Sequence, residues 1–314
     1  MSAELTESLV SVVIPTCNRP ELLHRALRSA LSQTFRDFEV IVVVDGPDQA
    51  TIDSLRRVND SRLEIVQIPE RVGGAEARNV GVREAKGEWV AFLDDDDEWF
   101  PEKLERQIAA ANCLSAHYPV IASRFIARAP CCDYLWPRRL PAHSEPLSEY
   151  LFVRKSLFFG EGLLQTSTIF AKRELLLKVP FTSGLKKHQD WDWVLRVAQL
   201  DGVSFEIIPE PLAVWYIEEG RNTVSTESTW RFSLDWIRNS RNLVTKKAYA
   251  AFIVTQVSPQ AARQSEWDAF GLLIREMFRF GNPRAIDVLM YLSMWFIPQN
   301  FRRSVRALFT RSRG

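Results

Sequence analysis

Four consecutive aspartates, Asp94–Asp97, end the apolar stretch Glu88–Leu93 and precede a helical pattern that begins at Pro101. Adjacent like charges repel one another, so a folded chain keeps four of them only beside a cation or in full contact with water. Open α/β sheets bind their ligands at the carboxyl ends of strands. Hard cations such as Mg2+ and Mn2+ take carboxylate and phosphate oxygens. The run therefore predicts a divalent-metal site, with a solvated acidic turn as the alternative.

Polar residues follow two other strand-like runs in the same way. Thr16 follows the β-branched run Val10–Pro15. Asp45 ends a nearly continuous apolar run that begins at Phe38, as expected of a parallel strand buried on both faces. Parallel strands of one sheet end at the same edge, so these polar residues and the aspartate run are expected to converge there.

A glycine-containing segment, Arg71–Asn79, lies between the apolar run that ends at Asp45 and the aspartate run, and it begins a helical pattern. Backbone N–H groups near Gly74 and the guanidinium of Arg78 are suited to an anion at a helix N-terminus. The segment has neither the Walker spacing nor the dinucleotide-binding spacing. By itself it is a weak signal.

Strand and helix patterns alternate through the first third of the chain. The predicted strands are 10–15, 38–45, 63–68 and 88–93, and the predicted helices are about 20–31, 49–58, 74–85 and 101–114. This order predicts an α/β fold with right-handed crossovers and a three-layer, mostly parallel sheet.

Composition limits the class of protein. The chain has 314 residues, of which 46% are hydrophobic and 25% charged, with a net charge of +1, as in globular proteins. Near-neutral charge argues against a nucleic-acid partner. The four cysteines form no CxxC pair and the four histidines are scattered, so no zinc site is expected. The same cysteine pattern predicts a protein of a reducing compartment. With no basic leader and no apolar stretch long enough to span a bilayer, we expect a cytoplasmic protein.

Together these residues resemble the family 2 glycosyltransferases of the GT-A fold, which are inverting enzymes that use nucleotide-sugars. The resemblance covers residues 10–105 in order and spacing, through Val12–Arg19, Ser32–Gly46, Ala77–Gly81 with Ala85–Glu88, and Leu93–Asp97. It implies a GT-A-type sandwich over residues 1–225, with a nucleotide-binding part at about 8–123 and an acceptor part at about 124–225. Residues 226–314 are expected to form a helical C-terminal extension.

The resemblance also implies a nucleotide-sugar site. Asp94 and Asp96 would hold Mn2+ or Mg2+, and Asp95 would lie near the ribose or share the cation. Asp97 is interpreted as a cap of the following helix. Asp45 would accept a hydrogen bond from a base N–H. The residues implied to bind the nucleotide-sugar are Pro15, Thr16, Cys17, Arg19, Asp45, Gly74, Arg78, Asp94, Asp95 and Arg221.

Two positions depart from the family pattern at the nucleoside end. The family usually has a tyrosine where Cys17 stands, so the way in which this chain holds the base is open. Of the family's two aspartates before the glycine, only the second is kept, as Asp45.

The family's acidic pair before a tryptophan is replaced here by Gln189-Asp190, at the start of a helical pattern. The resemblance implies that Asp190 is the general base, which takes the proton of the attacking acceptor hydroxyl. The alternative is that Asp190 or Asp192 only stabilises the helix N-terminus, which we prefer for Asp192. Loss of the neighbouring acid predicts a lower pKa for Asp190, because like-charge repulsion is removed.

The remaining segments give weaker predictions. Leu163–Ala171 is predicted to be a strand, and Arg221 either covers the diphosphate or is a solvated loop residue. Met294–Pro298 contains Trp295 and Phe296 and precedes five arginines, with no acid after Asp287. This composition is typical of an interfacial membrane anchor, and equally of a core helix with a basic tail.

The function predicted is inverting transfer of a sugar from a UDP- or dTDP-linked donor to a hydroxyl of a glycan or lipid-linked acceptor, in cell-surface polysaccharide synthesis. If the C-terminal segment is a membrane anchor, the protein is expected to be peripheral on the inner face of the cell membrane. One alternative is a catalytically inactive nucleotide-sugar-binding or scaffold protein, because Gln189 and Cys17 depart from the family pattern. Another is a nucleotidyltransferase, for which Arg19 is the only candidate to contact a triphosphate and the glycine signature is absent.

Overall fold

The computed structural model describes residues 9–130, 132–142, 144–156, 160–217 and 229–297. The chain forms two compact units, the first Met1–Leu140 with Leu164–Arg221 and the second Pro141–Leu163 with Asn222–Gly314. The predicted boundary near residue 225 lies outside the described residues. Pro141–Leu163, which the sequence analysis placed in the acceptor part, belongs to the second unit.

The first unit is built on one sheet. Its described strands are β1 (Val10–Thr16), β2 (Phe38–Asp45), β3 (Leu63–Ile68), β4 (Trp89–Phe92), β5 (Glu98–Trp99), β6 (Tyr118–Ala129), β7 (Cys132–Trp136), β8 (Phe170–Lys172) and β9 (Val203–Tyr216). They lie in the order β3-β2-β1-β4-β8-β6-β9-β5, and β7 pairs with β6. The pairs among β1, β2, β3 and β4 are parallel, and β8 joins them antiparallel to β4. The predicted α/β fold is confirmed, with a sheet that is parallel in its first four strands and mixed beyond them.

The described helices are α1 (Pro20–Leu31), α2 (Gln49–Leu55), α3 (Gly74–Glu84), α4 (Lys103–Asn112), α5 (Leu147–Phe152), α6 (Arg173–Lys178), α7 (Gln189–Val197), α8 (Trp230–Asn239), α9 (Lys246–Phe252), α10 (Ser258–Arg263), α11 (Asp268–Phe280) and α12 (Ala285–Phe296). A π-helical segment, Ile253–Val257, joins α9 to α10. None of these helices is both long and apolar enough to cross a bilayer.

Burial on both faces explains the parallel strands. β1 and the last six residues of β2 are fully buried, and the runs contain mainly valine and isoleucine. Helix α3 packs close to this layer, because a Cβ on Gly81 would lie 2.3 Å from Cγ1 of Val13. In the parallel register Thr16 pairs with Val44, and Val13 pairs with Phe92. The carboxyl ends of β1, β2 and β4 therefore meet at one edge.

The predicted strand over Leu163–Ala171 is wrong for most of its length. A 3-10 turn occupies Thr166–Thr168, and the strand is limited to Phe170–Lys172. The Thr168 hydroxyl donates to the Gln165 carbonyl at 2.7 Å, which favours a turn over an extended backbone.

The second unit is helical around an aromatic core. The ring of Phe252 lies 5.0 Å from that of Phe152 and 5.1 Å from that of Trp236. The buried carboxylate of Glu276 binds Arg238 at 2.8 and 2.9 Å and the Tyr249 hydroxyl at 2.7 Å, which ties α8, α9 and α11 together. A buried charge of this kind is kept only when it is fully paired.

The C-terminal aromatic residues are partly buried and partly exposed. Trp295, for which the sequence favoured a membrane interface and a core helix equally, is buried and donates to the Ser258 hydroxyl at 2.9 Å, as the core-helix alternative predicts. Leu273 and Met277 of α11 are buried, whereas Phe278 of the same helix and Trp267, which precedes it, are more than half exposed. Helix α11 thus buries a narrower stripe than its composition indicates.

Candidate functional site

The loop after β1 and the loop after β4 are joined by polar contacts. The Thr16 hydroxyl donates to Oδ2 of Asp95 at 2.8 Å. Nη1 of Arg19 lies 3.4 Å from Oδ1 of Asp95 and 3.3 Å from Oδ2 of Asp96. Pro15, which directly precedes Thr16, is buried in β1. The structure thus brings together the predicted nucleotide-contacting residues of β1 and the aspartate run.

Asp45 holds the loop that precedes α3. Its carboxylate accepts hydrogen bonds from the N–H groups of Val72 (2.7 Å) and Gly73 (2.9 Å), and the residue is buried. Gly73 has a φ of 87°, a conformation that residues with a side chain rarely adopt. Each carboxylate oxygen keeps a second lone pair, so Asp45 can still accept a hydrogen bond from a ligand N–H.

Cys17 directly follows β1. Burial raises the pKa of its thiol, the Arg71 guanidinium opposes this rise, and the carboxylates of Asp45, Asp48 and Asp95 add to it. The thiol therefore stays protonated near neutral pH, and its charged neighbours include Asp45 and Asp95, two of the residues that the sequence assigned to the nucleotide-sugar. It offers a small neutral surface where the family pattern has an aromatic ring.

Asp97 is a member of the acidic cluster and does not cap the following helix. The N-cap residue of α4 is Glu102. Oδ2 of Asp97 accepts hydrogen bonds from the Ser167 hydroxyl at 2.6 Å and from Nε2 of Gln165. Burial, with the charges of Asp96 and Asp94, raises the pKa of Asp97 well above its usual value.

The acidic cluster fits a divalent cation. One carboxylate oxygen from each of Asp94, Asp96 and Asp97 lies within 4.8 Å of the other two. Oδ1 of Asp97 is buried and has no hydrogen-bond partner among the described residues. Crowded carboxylates with an unsatisfied oxygen are the ligand set that a hard cation prefers. Sequence reasoning named Asp94 and Asp96 for this role but missed Asp97, because Gln165 and Ser167 are remote in sequence.

Arg78 links the acidic loop to α7. Its Nη2 pairs with Oδ1 of Asp94, and its Nη1 donates to Oε1 of Gln189 at 2.7 Å. A Cβ on Gly74 would lie 3.3 Å from Nη1 of Arg78 and 3.6 Å from Oε1 of Gln189, so the glycine leaves room for this contact. The sequence carried no signal that Gln189 and Arg78 meet.

Asp190 lies in the first turn of α7, beside this link. Its Oδ1 accepts a hydrogen bond from the N–H of Trp191 at 2.8 Å. Burial raises the pKa of Asp190 to about 6, against the hydrogen bond from Trp191 and the charge of Arg78, while Asp94 raises it further. The sequence argument considered only the repulsion lost at Gln189, which lowers the pKa, and did not include desolvation, which is the largest effect on Asp190 and raises it. A carboxylate with this pKa is suited to accept protons near neutrality.

Asp192, two residues further along α7, has different partners. Its Oδ2 accepts from the Thr182 hydroxyl at 2.7 Å and from Nε of Arg196 at 2.8 Å. The Thr182 contact joins α7 to the segment before it, and the Arg196 contact lies within α7. These bonds assign Asp192 a structural role.

Arg25 and Tyr216 also support the acidic loop. The Arg25 guanidinium stacks on the Tyr216 ring at 3.6 Å and donates to the carbonyl of Asp96. The Tyr216 hydroxyl donates to Oε2 of Glu98 at 2.7 Å. The sequence analysis did not identify these supports. Arg221, predicted to cover a diphosphate, lies outside the described residues.

Comparison with known proteins places the site in context. The family model Glycosyl transferase family 2 matches residues 11–159. The amylovoran biosynthesis glycosyltransferase AmsB of Erwinia amylovora is 30% identical over 252 residues, which cover 76% of this chain and 82% of AmsB.

Two solved structures have the same fold. S. aureus TarS 1-349 in complex with UDP-GlcNAc superposes with a TM-score of 0.52 and 19% identity, over 91% of this chain and 79% of that one. The mannosyltransferase PcManGT of Pyrobaculum calidifontis, in complex with GDP-Man and Mn2+, gives a TM-score of 0.52 at 18% identity, over 94% and 82%.

Proposed function

This chain belongs to glycosyl transferase family 2 and is a glycosyltransferase with the GT-A fold, and we propose that it transfers a sugar with inversion from a UDP- or dTDP-linked donor to a hydroxyl group. The observation that carries the proposal is the convergence of Asp45, the acidic cluster and Asp190 at one region of the first unit. The name of AmsB supports a role in polysaccharide biosynthesis, with a glycan or lipid-linked glycan as acceptor.

The donor would lie along the edge formed by β1, β2 and β4. Pro15, Thr16 and Asp45 would hold the nucleoside, with Cys17 beside the base and Asp95 near the ribose. The N–H groups at the start of α3, near Gly74, would face the diphosphate. Arg19, Arg78 and Arg221 would supply the compensating positive charge.

The divalent cation is proposed to be Mn2+ or Mg2+, held by Asp94, Asp96 and Asp97. PcManGT was solved with Mn2+, which supports this choice. When bound, such a cation stabilises the charge on the departing diphosphate. The chain's own contribution is to position its ligands: Ser167 and Gln165 orient Asp97, and Arg78 orients Asp94.

Asp190 is proposed as the general base. An inverting transfer needs one group that takes the proton of the acceptor hydroxyl as its oxygen attacks the anomeric carbon. The Oδ1 atom of Asp190 is held by the N–H of Trp191, which leaves Oδ2 to accept this proton. Arg78 donates one hydrogen bond to the neutral Gln189 and one to the carboxylate of Asp94. Among the carboxylates of the described residues, Asp94 is thus the one that forms an ion pair with Arg78.

The rate of transfer is expected to fall as the pH is lowered through about 6. The raised pKa of Asp190 means that the carboxylate takes up a proton at mildly acidic pH, and the protonated form cannot act as a base. A cation beside Asp94 offsets the charge that helps to raise this pKa, so the midpoint lies at or below that value. The measurement is kcat against pH in saturating donor. A rate independent of pH across this range would contradict the assignment.

The proposal as a whole is tested by incubating the protein with a panel of UDP-, dTDP- and GDP-sugars, a divalent cation and a mixture of glycan acceptors. We expect release of a nucleoside diphosphate, and NMR of the product should show the anomeric configuration opposite to that of the donor. Donor binding without turnover would favour the catalytically inactive sugar-nucleotide-binding alternative. Formation of pyrophosphate from a nucleoside triphosphate would favour a nucleotidyltransferase.

A further inference from the structure

Exposed apolar side chains are concentrated in the last described part of the second unit. Of the eleven large apolar residues that are exposed in the described part of the chain, seven lie between Trp267 and Ile297. Scattered exposed apolar residues are normal, but a concentration of them marks an interaction surface.

Helix α12 presents an apolar side to the outside of its unit. Leu289, Leu292 and Phe296 are spaced by three and four residues, so they share one side of the helix, and they are 62%, 36% and 62% exposed. Trp267, itself 56% exposed, lies beside them with its ring 6.0 Å from that of Phe296. We call these four residues the α12 surface.

The opposite side of α12 is apolar as well. Met290, Tyr291, Met294 and Trp295 are buried against the rest of the second unit. A helix that is apolar on all sides belongs either in a protein core or in contact with lipid. One side of α12 is in the core, so the other side needs an apolar partner.

The charge of the adjoining sequence indicates which partner. Asp287, paired with Arg284 at 2.8 Å, is the last acid of the chain. Residues 288–314 contain five arginines and no lysine, aspartate or glutamate, a net charge of +5 against +1 for the whole chain. An apolar surface followed by concentrated positive charge matches the interface of an anionic bilayer, where each component alone binds only weakly.

We propose that the α12 surface docks on an anionic lipid bilayer, with Leu289, Leu292, Phe296 and Trp267 at the level of the headgroups. This inference is independent of the proposed transfer reaction, because all four residues belong to the second unit, whereas the residues proposed for transfer belong to the first. It also replaces Trp295 by Trp267 as the interfacial tryptophan. A truncation that tests it must not remove Met294 or Trp295, which are part of the core.

The test is sedimentation of the full chain with vesicles of phosphatidylcholine and phosphatidylglycerol, and with vesicles of phosphatidylcholine alone. We expect binding to the anionic vesicles that weakens as salt is added. The double variant Leu292→Asp/Phe296→Asp should reduce the fraction bound by about tenfold or more, because it places charge at the depth of the headgroups. Leu177→Asp, an equally simple change at an exposed leucine of α6, should bind as the unchanged protein does.

Circular dichroism and the Tm of each variant establish that it is folded. Equal vesicle binding by the double variant and the unchanged protein would overturn the proposal, as would no binding at all. A lipid-free dimer that the double variant abolishes would assign the α12 surface to a second copy of the chain instead.

Discussion

Replacing Asp190 by asparagine is expected to lower kcat by about two to four orders of magnitude, the usual contribution of a general base. Asparagine keeps the size of the side chain, and its oxygen can still accept the hydrogen bond from the N–H of Trp191. It cannot take the proton of the acceptor hydroxyl. The KM for the donor should change little, because Asp190 is not among the residues proposed to hold the nucleotide.

The matched control is Asp192→Asn, two residues away in the same helical turn. Both changes remove one negative charge near the N-terminus of α7, so they share any effect on the helix dipole. Asp192 pairs with Thr182 and Arg196, so its variant should lose stability and keep most of its kcat. If the two variants lose the same fraction of activity, or if Asp190→Asn lowers only the Tm, Asp190 has a structural role and the assignment fails.

The parallel part of the fold was predictable because its signals are local. The nearly continuous apolar composition of β1 and β2 predicts that both faces of these strands are buried. The alternation of strands with helices predicts that the strands pair in parallel, as they do. The short turn at Thr166–Thr168 was not predicted, because its β-type composition is overridden by the local hydrogen bond from the Thr168 hydroxyl to Gln165 and by the hydrogen bond from Ser167 to the distant Asp97. Tertiary contacts of this kind leave no periodic pattern in the sequence.

The clustering of the aspartates at the sheet edge was predictable because the run directly follows a strand, and the order of the strands places the end of that strand beside those of β1 and β2. That the cluster binds a cation stays a prediction. The roles of Asp97 and Gln189 were not predictable, since each depends on a partner that only the fold brings near: Ser167 for one, Arg78 for the other.

The pKa of Asp190 shows the limit most clearly. From sequence, only the missing neighbouring acid was visible, and its removal favours ionisation. The larger effect is burial, which depends on the tertiary surroundings of the first turn of α7. Burial can be read from a pattern for apolar residues, but a polar residue in a loop or first turn gives no such signal.

Replacing Asp96 by alanine is expected to reduce turnover below detection and to weaken Mn2+ binding on the order of a hundredfold or more. The change removes one of the three carboxylates whose oxygens lie within 4.8 Å of one another. The remaining pair, Asp94 and Asp97, includes a carboxyl whose pKa is raised by burial and by its neighbours. Protons therefore compete with the cation for Asp97, and Mn2+ affinity should fall as the pH is lowered.

The fold should survive this substitution, because the Asp96 side chain is partly exposed in a loop and Arg19 keeps Asp95 as a partner. Asp53→Ala, which removes an exposed carboxylate from α2, is the matched control and should leave both quantities unchanged. Calorimetric titration with Mn2+ measures affinity without reference to activity, and excess chelator tests the unchanged protein. Full turnover in chelator, or unchanged Mn2+ affinity in Asp96→Ala, would remove the cation from this site, because no other three-carboxylate group is found among the described residues.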